Sequence, residues 1–221
     1  MRPEALVKHV AFRPPMYTHK LLPILLLSAA LGPMAALAQR SGIGVKGGPL
    51  LSETRSGAIA TKPLIGASAG LYFPLRAGQR FELQPELLVT SLGATYTLPD
   101  DDRAIVRTVY VQIPLSAKLF FTNSLNVQGG FQMGYLIWAK QTVDGESSDV
   151  KESYENMDLG LVLGAGVDLV SGVDFGLRYY NGLKPILQND DVYYPRNQAY
   201  MFSIGYRFSH LKAPKFNRRR H

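Results

Sequence analysis

The 221-residue chain contains no cysteine. Disulfide scaffolds, thiol catalysis and lipidation at a lipobox cysteine are therefore excluded. Histidine is nearly as scarce: His9 and His19 precede residue 20, while His210 and His221 fall in the last dozen residues. Ser–His and Asp–His machinery both need an imidazole to move protons near neutral pH. The chain is accordingly expected not to be an enzyme, with no catalytic, cofactor-binding or metal-binding residue. Beyond residue 38 there is also no run of about 18 apolar residues, so no spanning helix is expected. Finally, the excess of basic residues is missing from the body of the chain. The formal net charge is +7, yet residues 40–211 hold 15 Lys/Arg against 16 Asp/Glu. A nucleic-acid reader needs a basic face on its folded body, and this chain offers none.

What is present begins with an export signal. Residues 21–31 are almost wholly apolar, His19 and Lys20 precede them, and Ala36-Leu-Ala-Gln39 supplies a small-x-small cleavage pattern. Charged, apolar and cleavage regions in that order are expected to form a secretory signal peptide over 1–38. Met16 offers an alternative start. Residues 39–209 are then expected to form one domain, followed by a basic tail over 210–221.

That domain alternates with period two. Val109, Val111, Ile113, Leu115, Ala117, Leu119 and Phe121 interleave with Tyr110, Gln112, Pro114, Ser116, Lys118 and Phe120. Met157, Leu159, Leu161 and Leu163 interleave with Asp158, Gly160 and Gly164, and the stretches at 81–89, 125–137 and 200–208 behave likewise. Pleating sends successive side chains to opposite faces, so such stretches are half-apolar strands. Short connections near 76–79, 122–124 and 171–172 rotate with long ones near 51–63, 98–106, 141–153 and 184–197. Eight strands joined in this way predict an all-β, eight-stranded, antiparallel, up-and-down transmembrane β-barrel with a side-chain-filled interior. The non-apolar face is Gly, Gln, Ser and Asn with isolated charges, which suits a cramped lumen better than a watered exterior. Outer-membrane lipid is then the partner of the apolar face. Short turns on the periplasmic side place both termini in the periplasm. Two aromatic belts are expected, one from Phe73, Phe81, Phe121, Phe175 and Phe208, the other from Tyr96, Trp138, Tyr154, Tyr180 and Tyr200.

Several stretches in order along the chain carry a family resemblance. They are Gly44-Val-Lys-Gly-Gly48, Glu82-Leu-Gln-Pro-Glu-Leu-Leu88, Tyr110-Val-Gln-Ile-Pro-Leu115, Gly134-Tyr135, Leu161-Val-Leu-Gly-Ala-Gly-Val167, Gly176-Leu-Arg-Tyr-Tyr180 and Gly205-Tyr-Arg-Phe208. The chain resembles the PorT-like outer-membrane β-barrel family of Bacteroidetes-type bacteria. The resemblance implies an eight-stranded outer-membrane barrel, in a group some of whose members are linked to protein secretion.

Three sets of residues are candidates for function. Lys46, Glu82, Gln84, Glu86, Lys118, Asp174, Arg178 and Arg207 point inward and are expected to form a polar lumen network, since buried charges must be paired. Asp100, Asp101 and Asp102, with Tyr193 and Tyr194, are loop positions where a protein partner is expected. The polar 141–153 loop reads as mobile. Lys212, Lys215, Arg218, Arg219 and Arg220 make the tail a second partner surface, whose contacts would weaken with salt. Gly164-Ala-Gly166 lies inside a strand and opens no helix, so it is no nucleotide loop. The expected function is a non-catalytic partner-binding or assembly component. The alternative is transport of protons or very small solutes.

Overall fold

The computed structural model describes residues 42–56, 61–97, 103–188 and 194–208. The expected leader, Asp100–Asp102, Tyr193 and the basic tail lie outside the described residues. Among the described residues there are ten strands: β1 (Gly44–Arg55), β2 (Thr61–Tyr72), β3 (Leu75–Ala77), β4 (Phe81–Thr97), β5 (Arg103–Phe120), β6 (Leu125–Val143), β7 (Glu146–Asp149), β8 (Met157–Asp168), β9 (Val173–Gly182) and β10 (Arg196–Arg207). Each pairs antiparallel with its neighbour, and β10 returns to β1 with Gly44 opposite Arg207 and Arg55 opposite Arg196. The sheet is therefore a closed barrel without edges.

Eight of the ten make its wall. β3 continues β2 along β4 after a break at Phe73 and Pro74, and β7 folds back on the far end of β6. Pro74 has no N–H to extend the ladder, so the strand stops and restarts there. The β4–β5 ladder likewise skips from the Pro85–Leu115 pair to the Leu88–Gln112 pair, across Pro114. One end of the barrel carries the tight turns around Gly78 (φ +88°) and Gly172 (φ +94°). Gly44 and Arg207 share this turn end; the opposite one is the loop end.

Alternation becomes an inside and an outside. On β5, Thr108, Tyr110, Gln112, Pro114, Ser116, Lys118 and Phe120 are buried, while Ile113, Leu115 and Leu119 are exposed. Leu87, Val89, Phe131, Met133, Leu163, Leu177, Phe202 and Ile204 extend the exposed apolar band around the other strands. An exterior this apolar is a lipid face, not a watered one. No helix among the described residues is long and apolar enough to cross a membrane.

Three expectations need correction. The loop-end connections are shorter than expected, because strands run on past the apolar band: β1 reaches Arg55, β5 begins at Arg103 and β6 extends to Val143. Backbone ladders continue there with polar side chains on the outer face, so apolar alternation fades before the strand does. The segment 141–153 is not a simple mobile loop. Asp144 (φ 50°) and Gly145 (φ 86°) form a two-residue hairpin turn that returns β7 onto β6, the arrangement Asp-Gly favours. The loop-end aromatic belt is also reduced. Trp138 and Tyr200 face outward, but Tyr154 and Tyr180 are only 5% exposed and Tyr96 packs against the same interior cluster. Tyr180 is on the inward parity of β9, and Tyr154 folds in from beyond the strands.

Small residues inside the wall are spacing devices. Gly164 lies in register between Gln128 on β6 and Arg178 on β9. Its bare backbone lets the Arg178 guanidinium reach across β8 to Gln128. A Cβ there would meet the Leu177 carbonyl oxygen at 2.5 Å and Arg178 Cγ at 3.0 Å. Gly164→Ala is expected to lower stability by about 1–3 kcal/mol through overpacking, measured as a shift in the denaturant midpoint of the detergent-solubilised barrel.

Candidate functional site

The lumen is filled in three tiers, each assembled from strands distant in sequence. At the turn end, Glu82 of β4 accepts hydrogen bonds from Arg207 Nη1 at 3.2 Å and Nη2 at 3.1 Å. Lys118, opposite it on β5, lies 3.9 Å away, and Arg76 of β3 lies 3.8 Å away. Asp168 at the end of β8 closes the circuit. It accepts from Lys118 Nζ at 3.1 Å, Arg207 Nη2 at 3.0 Å and Asn126 Nδ2 at 2.8 Å. Glu82 and Asp168 thus alternate with Lys118 and Arg207 in a ring around the bore, with Arg76 beside Glu82.

The second tier centres on Glu86, four residues along β4 on the same face. Arg178 Nη1 donates to it at 2.7 Å, with Nη2 on the second oxygen, and Lys46 Nζ donates at 3.0 Å. Gln84 donates to Glu86 as well, while Arg178 Nη2 also donates to Gln128 Oε1 at 2.8 Å. The bidentate fork is the geometry in which a buried Arg–carboxylate pair is strongest. Tyr72 ties this tier to the first: Lys46 Nζ lies 4.8 Å and the Arg207 guanidinium carbon 6.0 Å from its ring centroid, and its hydroxyl donates to Asp174. Room for that ring comes from Gly44, where a Cβ would fall 2.3 Å from a Tyr72 carbon. Across both tiers Lys46, Lys118, Arg178 and Arg207 face Glu82, Glu86, Asp168 and Asp174, with Arg76 beside Glu82 as a fifth cation.

The third tier, toward the loop end, is apolar. Leu50, Leu92, Val106, Tyr110, Leu136, Val162 and Tyr180 from the wall meet Tyr154 and Ile186, which fold in from the connections after β7 and β9. Main-chain bonds hold these connections together: Glu155 N–H to Ile186 O at 2.8 Å, Gln188 N–H to Ser153 O at 3.1 Å and Ile186 N–H to Pro195 O at 2.8 Å. Burial holds the Tyr154 phenol above its ordinary pKa, so it stays neutral in this cap. Its one carboxylate, Asp158, accepts from Asn197 Nδ2 at 2.9 Å. Between the second and third tiers lies a cavity lined by Leu50, Leu92, Gln112, Gln132, Arg178 and Met201. It offers about 20 Å³ to the centres of water molecules, which is room for roughly one water.

The eight lumen residues singled out in the sequence are all buried inside the barrel. Seven of them, all but Asp174, meet in the first two tiers, and Asp174 joins through Tyr72. Sequence reasoning left out Asp168, Asn126, Gln128 and Tyr72. The first three lie on the inward parity of β8 and β6, so counting alternate positions from Gly164 and Gln132 finds them. Of the loop candidates only Tyr194 is described; it is 49% exposed with φ 43°. No group of three or more metal-ligating side chains occurs among the described residues.

A closed eight-stranded wall with an apolar exterior and an ion-paired interior defines an integral β-barrel membrane protein. The chain belongs to the family of the outer membrane protein beta-barrel domain, which matches residues 34–188. No curated protein matches it. Among solved structures, Neisserial surface protein A is 15% identical, covers 76% of this chain and 99% of its own, and superposes with a TM-score of 0.49. Ail of Yersinia pestis, in complex with the heparin analogue sucrose octasulfate, is 15% identical with the same coverage and a TM-score of 0.45. OprG of Pseudomonas aeruginosa is 14% identical over 76% of this chain and 96% of its own, with a TM-score of 0.43.

Proposed function

We propose that this protein is a non-catalytic outer-membrane component that acts through what its two ends bind, as a partner-binding or assembly and secretion-associated barrel. One observation carries the proposal: the lumen is filled by two tiers of paired charge and then an apolar cap that includes Tyr154 and Ile186, with a water-sized cavity between them. A bore so filled leaves the extramembrane surfaces as the place where function resides. Membership of the PorT-like branch belongs to the same proposal, supported by the ordered stretches from Gly44-Val-Lys-Gly-Gly48 to Gly205-Tyr-Arg-Phe208. So does a periplasmic turn end bearing both termini, supported by short turns at that end. Asp100, Asp101, Asp102, Tyr193 and Tyr194 then face the cell exterior, and the tail from Lys212 faces the periplasm.

Photo-crosslinking in the native cell tests this, with probes at Tyr194 and at Phe216 in the tail. A reproducible protein adduct at either position is the expected result. Clean lanes at both, from a correctly inserted barrel, would move the reading to transport of protons or very small solutes. The run of buried titratable groups from Glu82 and Asp168 up to Glu86 favours that second reading. It calls for proton flux into dye-loaded vesicles, whereas the first reading expects neither flux nor unit conductance steps in planar bilayers.

A further inference from the structure

The outer face of the barrel carries a pair of cations where the apolar band gives way to water. Arg107 of β5 and Lys140 of β6 are directly opposed across the ladder, two pairs beyond Val109 and Trp138. Opposed residues on one sheet face hold their Cβ atoms about 4.5–5.5 Å apart, and like charges so placed repel. Neither residue joins an ion pair among the described residues. The carboxylate in register on the other side of Lys140 is Asp149, whose Oδ1 accepts the Lys151 N–H at 2.9 Å. The Arg107 guanidinium lies along the wall, with Nη1 donating to the Ile65 carbonyl at 3.4 Å. Ile65 is itself 69% exposed on the lipid face. A second like-charged pair, Arg55 opposite Arg196, sits in the β1–β10 seam beyond Leu51 and Tyr200, with Glu53 between.

We infer that Arg107 and Lys140 form a binding site for the anionic, phosphate-bearing headgroup of a membrane lipid at the loop end. A bridging phosphate relieves the repulsion and accepts hydrogen bonds from both side chains, which neither water nor a zwitterionic headgroup does as well. The site is continuous with the lipid face: Ile65 and Val109 receive acyl chain, Trp138 sits at headgroup level, and the cations lie about 7 Å further along the strands. That continuity, with the Arg stem laid over apolar wall, assigns the site to a lipid rather than to a soluble polyanion.

Trp138 is the only tryptophan in the chain, so its fluorescence reads this site alone. The full barrel is reconstituted in phosphatidylcholine vesicles containing phosphatidic acid with brominated acyl chains, which quench tryptophan on contact. Quenching, set against brominated phosphatidylcholine, gives the relative affinity for the anionic lipid. The wild type is expected to prefer it, with about fivefold per cation contributed by Arg107 and Lys140. Arg107→Gln and Lys140→Gln should each remove about fivefold and the double variant nearly all of the preference, as should high salt. Lys184→Gln, which breaks the exposed pair with Glu155 instead, should change nothing. A wild type without preference, or one that both glutamine variants leave intact, overturns the inference. So does loss of that preference when micromolar soluble inositol hexakisphosphate is added to the vesicles, which would mark the surface as a site for soluble anions.

Discussion

Glu86→Gln is expected to destabilise the barrel by about 3–5 kcal/mol, the usual result of removing one partner from a buried ion pair. Glutamine keeps the size and one carbonyl oxygen, so what is lost is the charge. Arg178 and Lys46 are then left facing each other without the one carboxylate both of them bond, and Asp174, bonded to the Tyr72 hydroxyl, is the anion that remains nearby. Neither cation has an easy escape, because both side chains are almost wholly buried. Reversible urea titration in detergent micelles measures the loss. A second substitution separates charge from packing. Lys46→Met removes the second cation, leaving Arg178 against Asp174, while keeping a side chain of similar length. Added to Glu86→Gln it should recover more than 1 kcal/mol, although Lys46→Met alone is destabilising because it strands part of the Glu86 charge. If the double variant were merely the sum of the two singles, the second tier would not be an electrostatic unit.

The same tiers show how far the sequence could be followed. Period-two alternation placed Glu82, Glu86, Lys118, Arg178 and Arg207 on one face, because in a strand parity alone decides the side. Parity says nothing about depth or partners. Glu82 and Glu86 look equivalent, yet one sits in a ring with Lys118, Asp168 and Arg207 and the other is forked by Arg178. That distinction depends on the register between β4 and β9, which are far apart in the chain. The apolar third tier was less legible still. Leu136 sits inward and Ile137 and Trp138 outward because β6 slips by one residue between its pairs with Tyr110 and Val109, and a bulge breaks the parity count. Tyr154 and Ile186 belong to no barrel strand, so no period marks them as interior. Loop lengths failed for a related reason. Beyond the lipid the outer face of a strand is wet, so polar residues there carry no sign of the ladder that still holds them.

Leu163→Arg is expected to cost about 2–4 kcal/mol, the largest loss foreseen for any single change on the outer face. Leu163 is 62% exposed and lies midway along β8, between Gly129 on β6 and Tyr179 on β9. Met157 at the start of the strand and Leu169 just past its end bracket it. At about 3.3 Å per residue each end is roughly 20 Å away along the strand, too far for an arginine stem to carry its guanidinium out of the hydrocarbon. The same substitution at Leu169, beside the tight turn, reaches water and should cost about 0–1 kcal/mol. Depth, not residue type, therefore sets the expected difference, and folding titrations of both variants into lipid vesicles measure it. In a barrel with a watered exterior, both would be exposed-leucine changes of nearly equal and small effect. Equal stabilities for Leu163→Arg and Leu169→Arg would thus contradict a hydrocarbon environment at mid-strand, whereas a gap of 2 kcal/mol or more places Leu163 deep in the bilayer.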